Sequence, residues 1–229
     1  MIELVGLAKR YGDRILFENL DASFPEGKTT VLFGPSGSGK TTILRLIAGF
    51  EKPDRGEIRI GKTPVSAPRF LAPPHRRGIN MVFQNLALWP HLTIRGHIRF
   101  VFKAAGMLDG NHRDRMRVIL SRVGLDGLED RYPSRLSGGE QQRLAIARAL
   151  AVPRPILLLD EPLAHVHAEL KTDILNLIKT LKADTNLTMI YVTHHIEETE
   201  GLGDCFYRLE DGRLKKAGSD TKSSDGGVQ

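Results

Sequence analysis

The sequence has 229 residues, of which 41% are hydrophobic and 26% charged, and these fractions are typical of a globular protein. The formal net charge is +6, but aromatic residues make up only 6%, and the lysines and arginines are spread along the chain. We therefore expect no nucleic-acid partner, because such a surface needs dense basic clusters. The single cysteine, Cys205, excludes an intrachain disulfide and is typical of a reducing compartment.

The N-terminal segment MIELVGLAKRYGDR has no charged start followed by a long apolar core, so it does not resemble a signal peptide. No other stretch approaches the roughly 20 apolar residues that a membrane-spanning helix requires. We therefore expect a cytoplasmic protein that reaches a membrane only through a partner.

The first part of the chain alternates between strand and helix patterns. Apolar residues at helical spacing predict a helix over 41–50, directly after a β-rich run at 29–33. Four prolines between 63 and 78 predict a loop there. Partial alternation and glycine turns predict further strands over 1–33, 56–61 and 78–84.

The second part continues this alternation. Residues 92–151 are predicted to be mostly helical, with breaks at 106–110 and 124–137, and the last helix ends before Pro153. The run ILLLD predicts a strand buried on both faces, as in a parallel sheet. A helix around 168–183, a strand over 188–194 and a hairpin turning at Asp211–Gly212 follow. Alternating strands and helices predict an α/β fold with a mainly parallel sheet.

The segment GPSGSGKTT, residues 34–42, has the G-x-x-x-x-G-K-[ST] pattern of a phosphate-binding P-loop. Glycines let backbone amides approach phosphate oxygens closely, and the following helix directs its N-terminus at them. Lys40 is expected to contact the β- and γ-phosphates of a bound nucleotide, and the Thr41 hydroxyl is a candidate Mg²⁺ ligand. The candidate nucleotide-binding residues here are Gly34, Pro35, Ser36, Gly37, Ser38, Gly39, Lys40, Thr41 and Thr42.

Two adjacent acids, Asp160 and Glu161, end the apolar run ILLLD. An apolar strand that ends in paired carboxylates is costly unless the charges meet a cation or take part in chemistry. In P-loop enzymes the acid at such a strand end holds Mg²⁺, which is the role expected of Asp160. Glu161 is then placed to act as the general base toward the attacking water.

The segment LSGGEQQR, residues 136–143, makes the chain resemble the ATP-binding-cassette (ABC) family over nearly its whole length. The other family motifs occur in the family's order: Tyr11 at the adenine-stacking position, Gln84 at the Q-loop glutamine and His194 at the switch histidine. Ser137 and Glu140 also fit a capping box, S-x-x-E, before an apolar helix. Each of these residues also has a purely structural explanation. Tyr11 could be a surface aromatic and Gln84 a polar residue at a strand end. His194 could be a structural histidine and Ser137 a plain N-cap.

The resemblance implies a P-loop NTPase core with an N-terminal antiparallel β subdomain and an inserted helical subdomain. We expect the cassette to span 1–218, with the helical part at roughly 86–152 and a polar disordered tail at 219–229. Gln84 is implied to contact Mg²⁺ or the water, and His194 the γ-phosphate. The implied signature residues toward ATP of the opposite subunit are Ser137, Gly138, Gly139 and Glu140.

One chain carries one phosphate loop and one signature, so the resemblance implies a head-to-tail dimer, or a pair with another cassette, that holds two ATP molecules. It also implies an importer ATPase at the inner face of the cell membrane, with permease subunits docking near Gln84 to Ile98. We expect no C-terminal regulatory domain. The alternatives are a soluble ABC-type ATPase and a regulatory cassette with weak hydrolysis. The second is suggested only by His167, which stands where the family has a D-loop aspartate.

Overall fold

The computed structural model describes residues 1–164 and 166–217. The chain forms two compact units. The first comprises Met1–Arg77 and the described residues from Thr188 onward, and the second is Gly78–Leu187. The predicted disordered tail, 219–229, lies outside the described residues, as does His165.

Eleven strands and five α-helices lie in the described part of the chain. The strands are β1 (Ile2–Tyr11), β2 (Arg14–Phe24), β3 (Thr29–Phe33), β4 (Arg55–Ile60), β5 (Thr63–Ala67), β6 (Phe70–Leu71), β7 (Ile79–Val82), β8 (Ile156–Asp160), β9 (Thr188–Thr193), β10 (Cys205–Glu210) and β11 (Arg213–Ala217). The helices are α1 (Lys40–Ala48), α2 (Ile94–Ala104), α3 (His112–Arg122), α4 (Gly138–Leu150) and α5 (Ala168–Asp184). Short 3-10 turns lie at Pro74–Arg76, Pro133–Arg135 and Ile196–Thr199.

One sheet of the first unit is antiparallel, with the strand order β2-β1-β4-β5-β6. Its apolar pattern is only partly alternating because the pairing of β1 with β2 is irregular. Ile2 and Leu4 are buried at alternate positions, and a register shift then brings Leu7 to the buried face. The expected antiparallel β subdomain is therefore present.

The loop predicted over 63–78 is wrong for its first half, because β5 and β6 form a small hairpin there. The prolines do not prevent this. Pro64 lies at the start of β5, where the pairing with β4 is irregular, and Pro68 lies in the turn before β6. Proline is tolerated at such positions because no ladder hydrogen bond needs its missing N–H.

A second group of strands in the first unit is parallel, and α1 follows one of them, β3, in the chain. Strand β3 pairs in parallel with β9 on one side and with β10 on the other. Ile43, Leu44, Leu46 and Ile47 of α1 are completely buried, as the helical spacing predicts. Strands β10 and β11 form the predicted hairpin, with positive φ at Asp211 and Gly212 in its two-residue turn.

The second unit contains the parallel pair β7 and β8 together with helices α2 to α5. All five residues of β8 are buried, which confirms the prediction of a strand covered on both faces. The mostly helical segment and its two breaks are also confirmed, and α4 ends at Leu150, before Pro153. None of the helices in the described part of the chain has both the length and the apolar composition of a membrane span.

Candidate nucleotide site

The phosphate loop connects β3 to α1 in the first unit, and two of its glycines have clear structural reasons. A Cβ atom on Gly34 would overlap the backbone carbonyl oxygen of Leu209 on β10, and its φ is 148°. Gly39 is the N-cap of α1 with φ of 106°, in the left-handed region that favours glycine. Glycine has no side chain with which to cap the helix, so the start of α1 is open to backbone and ligand acceptors.

Lys40 and Ser38 give this loop the donors that a phosphate group needs. The Lys40 side chain is only 4% exposed, and its Nζ donates to the carbonyl oxygens of Gly34 and Pro35, at 2.8 Å each. The Ser38 Oγ is buried, and within the described residues it has no hydrogen-bond partner. This buried hydroxyl, beside a buried ammonium and a helix N-terminus that begins after glycine, fits an anion with several oxygen atoms.

Tyr11 lies at the end of β1 and is brought next to the phosphate-loop helix. Its hydroxyl interacts with the Thr42 side chain and donates a hydrogen bond to Glu51. Burial and the hydrogen bond to Glu51 raise the pKa of the Tyr11 hydroxyl, so it stays protonated at neutral pH. The ring is 47% exposed, with the Lys9 Nζ at 5.2 Å from its centroid. An exposed ring held at one end is suited to stacking against a planar base.

His194 follows β9 directly and is exposed. In the parallel pair of β3 and β9, Phe33 is aligned with Thr193, so one further residue places His194 level with Gly34 at the start of the loop. The ring of His194 packs against that of His195, with centroids 4.0 Å apart. The first unit therefore contains the loop, Tyr11 beside the helix that follows it, and His194 level with its first residue.

The second unit brings Gln84 and Glu161 together at the carboxyl ends of β7 and β8. Val82 is aligned with Leu159 in this parallel pair, so two further residues on each strand place Gln84 level with Glu161. The Gln84 Nε2 donates to the Glu161 Oε2 at 3.2 Å. Asp160, the last residue of β8, is 2% exposed.

Glu161 has positive φ, 45°, although it is not glycine. A left-handed backbone costs a non-glycine residue about 1 kcal/mol or more, and such strain clusters at functional sites. It turns the chain sharply between the buried acid Asp160 and the loop that follows.

The signature segment begins α4 and forms the predicted capping box. The Ser137 Oγ accepts from the Glu140 N–H at 3.2 Å, and the Ser137 N–H donates to the Glu140 carboxylate at 2.8 Å. Ser137 is exposed, so this capped helix start faces solvent. Gly139 also has a packing role, because a Cβ there would lie 3.0 Å from Leu170 of α5.

The loop that follows Gln84 is held by Arg148 of α4, which the sequence alone did not single out. Its guanidinium donates to the carbonyl oxygens of Leu86, at 2.7 Å, and Ala87. The Arg148 Cζ also lies 5.1 Å from the centroid of the Trp89 ring. A single arginine inside the apolar run LAIARALA was the available signal.

Trp89 is partly buried, and it packs against residues of α2. Its ring packs on Phe100 at 4.7 Å between centroids, and its backbone N–H donates to His97 Nε2 at 2.9 Å. His97 is fully buried, and its Nδ1 lies 2.8 Å from the Thr93 carbonyl oxygen, which makes Nδ1 the protonated nitrogen. Phe100, two residues after the segment from Gln84 to Ile98, is an exposed large apolar side chain, at 52%.

The chain was compared with protein families and solved structures. The family model described as "ABC transporter" matches residues 17–164. The chain belongs to the ABC transporter family. Its fold is that of the P-loop ABC cassettes: a bacterial ABC transporter cassette, MJ0796, in a dimeric structure superposes with a TM-score of 0.80 at 32% identity, covering 94% of this chain and 97% of that one. The same cassette in a dimeric post-hydrolysis state bound to ADP and Pi gives a TM-score of 0.81 at 31% identity, covering 95% and 98%.

Two curated relatives have names that refer to import. The sulfate/thiosulfate import ATP-binding protein CysA of Mycobacterium bovis is 39% identical over 98% of this chain. The Fe(3+) ions import ATP-binding protein FbpC of Photorhabdus laumondii is 39% identical over 95% of it. The chain spans 63% and 61% of the length of these two relatives. The resemblance stated from the motifs is confirmed at the level of family and fold.

Proposed function

We propose that this chain binds and hydrolyses ATP and thereby powers a membrane importer. The observation that carries the proposal is the Gln84–Glu161 pair at the carboxyl ends of β7 and β8, with Glu161 on a strained backbone directly after the buried acid Asp160. Carboxylates positioned at the ends of parallel strands are suited to nucleotide hydrolysis. The phosphate loop with its buried Lys40, and the import names of the relatives, support the same reading.

The site residues have separate roles in the proposed reaction, and Gln84 is in addition a candidate magnesium ligand. Backbone amides of residues 34–39 and Lys40 Nζ bind the phosphates, which requires the ammonium to exchange its carbonyl acceptors for phosphate oxygens. Tyr11 stacks on the adenine. Glu161 accepts the proton of the attacking water, Gln84 orients that carboxylate, and His194 contacts the γ-phosphate.

Three residues have the right oxygen donors for a magnesium ion: Thr41, Gln84 and Asp160. Mg²⁺ prefers oxygen ligands and is usually bound by few protein groups together with substrate phosphates. When bound, it would neutralise charge on the β- and γ-phosphates. In the described part of the chain, no cluster of three or more His, Cys, Asp or Glu residues forms a separate metal site.

The proposed assembly is a head-to-tail pair of cassettes with ATP between them, and the dimeric state of the solved relatives supports it. Ser137, the N-cap of α4, is exposed and lies at the positive end of the helix dipole. Ser137, Gly138, Gly139 and Glu140 would meet the γ-phosphate held by the partner subunit. A cassette of another kind could replace the second copy.

The proposed location is the inner face of the cell membrane, against permease subunits that contact the region from Gln84 to Ile98. The transported substrate is a separate question, because relatives at the same 39% identity are named for sulfate/thiosulfate and for Fe(3+). Fractionation of source cells tests the location. The chain is expected with the membranes, and a wholly soluble chain would favour the alternative of a cassette that is not coupled to transport.

Glu161→Gln is the central test of hydrolysis. Removing the general base is expected to lower ATP turnover by about 100-fold or more while ATP still binds. Light scattering is then expected to show a shift from monomer to dimer when Mg-ATP is added to this variant. Glu169→Gln, at an exposed carboxylate in the first turn of α5, is the matched control and should retain turnover. Undiminished turnover in Glu161→Gln would refute the assignment of the base.

A further inference from the structure

The loop after Gln84 contains two consecutive non-glycine residues in the left-handed region, Leu86 with φ of 56° and Ala87 with φ of 45°. Bulky residues rarely adopt this conformation singly, and two in a row require a structure that holds them. Local backbone hydrogen bonds contribute, from the Leu86 N–H to Phe83 and from the Ala87 N–H to Asn85. They close the turn but leave the carbonyl oxygens of Leu86 and Ala87 directed elsewhere.

Arg148 binds both of those carbonyl groups. Its two terminal nitrogens donate to them one each, while the plane of its guanidinium lies over Trp89. The side chain is 8% exposed, and among the described residues no carboxylate lies within ion-pair distance of it. Burial lowers the pKa of Arg148 from its ordinary value, and arginine side chains in proteins stay charged. A buried cation bonded only to loop carbonyls and an aromatic ring has a specific geometric role.

Leu86 and Ala87 lie two and three positions after Gln84, whose amide reaches Glu161. Arg148 belongs to α4, the helix whose N-cap is the signature residue Ser137. We propose that Arg148 is a positioning residue for ATP hydrolysis: it fixes the left-handed turn at Leu86 and Ala87, and thereby keeps Gln84 against the Glu161 carboxylate. This inference rests on the proposed ATPase function and concerns one residue that the motifs do not assign.

Arginine suits this position because its planar guanidinium can donate to two carbonyl oxygens at once. The lysine ammonium is a single point donor on a flexible stem and does not reproduce a two-pronged contact. Arg148→Lys therefore keeps the charge and most of the apolar stem but loosens the loop. If Gln84 is displaced by as little as an ångström, kcat is expected to fall about 10- to 100-fold.

The experiment measures kcat and KM for ATP in the purified chain and in Arg148→Lys. We expect kcat to fall and KM to stay within about twofold, because a mutation that affects only the chemical step leaves ground-state binding unchanged. The matched control is Asn80→Ala, which removes another side-chain donor to a backbone carbonyl in the same unit, that of Val152 just after α4. This control is expected to keep kcat, and a kcat loss of the same size in both variants would show a merely structural role for Arg148.

A double-mutant cycle tests whether Arg148 acts through Gln84. Gln84→Ala alone is expected to lower kcat, and adding Arg148→Lys to it should cost little more, because the positioned group is already absent. Additive losses in the double variant would overturn the inference. Wild-type protein without ATP turnover would instead overturn the proposed function itself, so the two failures are distinguishable.

Ala87 offers a second test that leaves the buried arginine in place, since its side chain is exposed. Ala87→Pro fixes φ near −65° and prevents the left-handed turn, so it is expected to reproduce the kcat loss of Arg148→Lys. Ala87→Gly permits the turn without strain and should keep kcat. Equal activity of the proline and glycine variants would show that the turn does not position Gln84, even if Arg148→Lys failed to fold.

Discussion

Replacing Arg77 with methionine should destabilise the first unit strongly. Arg77 is 4% exposed, and its guanidinium donates five hydrogen bonds but forms no ion pair with the part of the chain that the structure describes. Burial lowers the pKa of Arg77 to about 10, so the group is a charged donor at neutral pH. The acceptors join the C-terminal end of the phosphate-loop helix α1 to the β5–β6 hairpin, and they are the Leu46, Ile47, Val65 and Ala72 carbonyl oxygens and the Ser66 Oγ.

The size of the loss follows from what each acceptor retains. Leu46 O and Val65 O also receive backbone N–H groups, from Gly49 and Ala72. Of the other three acceptors, the Ile47 carbonyl and the Ser66 hydroxyl would lose this donor in the interior, and the Ala72 carbonyl would lose it in a half-buried position. Each unsatisfied buried group costs about 1 to 3 kcal/mol. Methionine also removes the cost of burying the arginine charge, which offsets part of this, so the net loss of stability is about 3 to 5 kcal/mol. That is a large share of a total stability of about 5 to 15 kcal/mol.

Urea unfolding followed by circular dichroism measures this loss as a fall in the midpoint concentration at an unchanged m-value. The matched control is Arg59→Met, because Arg59 is a half-exposed arginine of the same unit whose side chain bonds the Glu57 carboxylate. The control is expected to change the free energy of unfolding by less than about 0.5 kcal/mol. A loss below about 1 kcal/mol in Arg77→Met would refute the view that this guanidinium holds α1 to the hairpin.

Two further outcomes follow from the structure. Burial, and then the positive charge of Arg148 and the nearby His91, lower the pKa of His97 against the opposing effect of the Thr93 carbonyl. The unfolded chain therefore binds more protons than the folded chain as pH falls through about 6.5, so stability that is complete above this pH is lost below it. In His97→Gln, the free energy of unfolding measured with a chemical denaturant should fall less steeply between pH 7 and 5. Gly34→Ala should abolish binding of a fluorescent ATP analogue, because its Cβ would overlap the Leu209 carbonyl oxygen, whereas Gly61→Ala, whose Cβ would meet nothing within 4 Å, should bind normally.

Local patterns were sufficient where a side chain acts on its own neighbours in the sequence. The capping box of Ser137 and Glu140, the Asp211–Gly212 turn and the fully buried β8 each depend on a few adjacent residues, and each is present as predicted. The loop predicted between 63 and 78 was wrong because proline density was counted without knowing which backbone positions pair. Pro64 lies where the pairing of β5 with β4 is irregular, and only the neighbouring strand reveals this.

The sequence by itself determined the family, the parallel α/β core and the identity of the candidate site residues, because the phosphate loop, the acid pair and the signature are contiguous motifs whose chemistry is local. The tertiary structure alone decided which distant groups support them. The Gln84–Glu161 contact spans 77 residues and depends on the register of β7 with β8. The contacts of Arg148 with the loop after Gln84 span 61 and 62 residues, and the five hydrogen bonds of Arg77 join α1 to β5 and to the residue after β6. No periodicity in the sequence encodes such contacts, since they arise only when packing brings separate segments together.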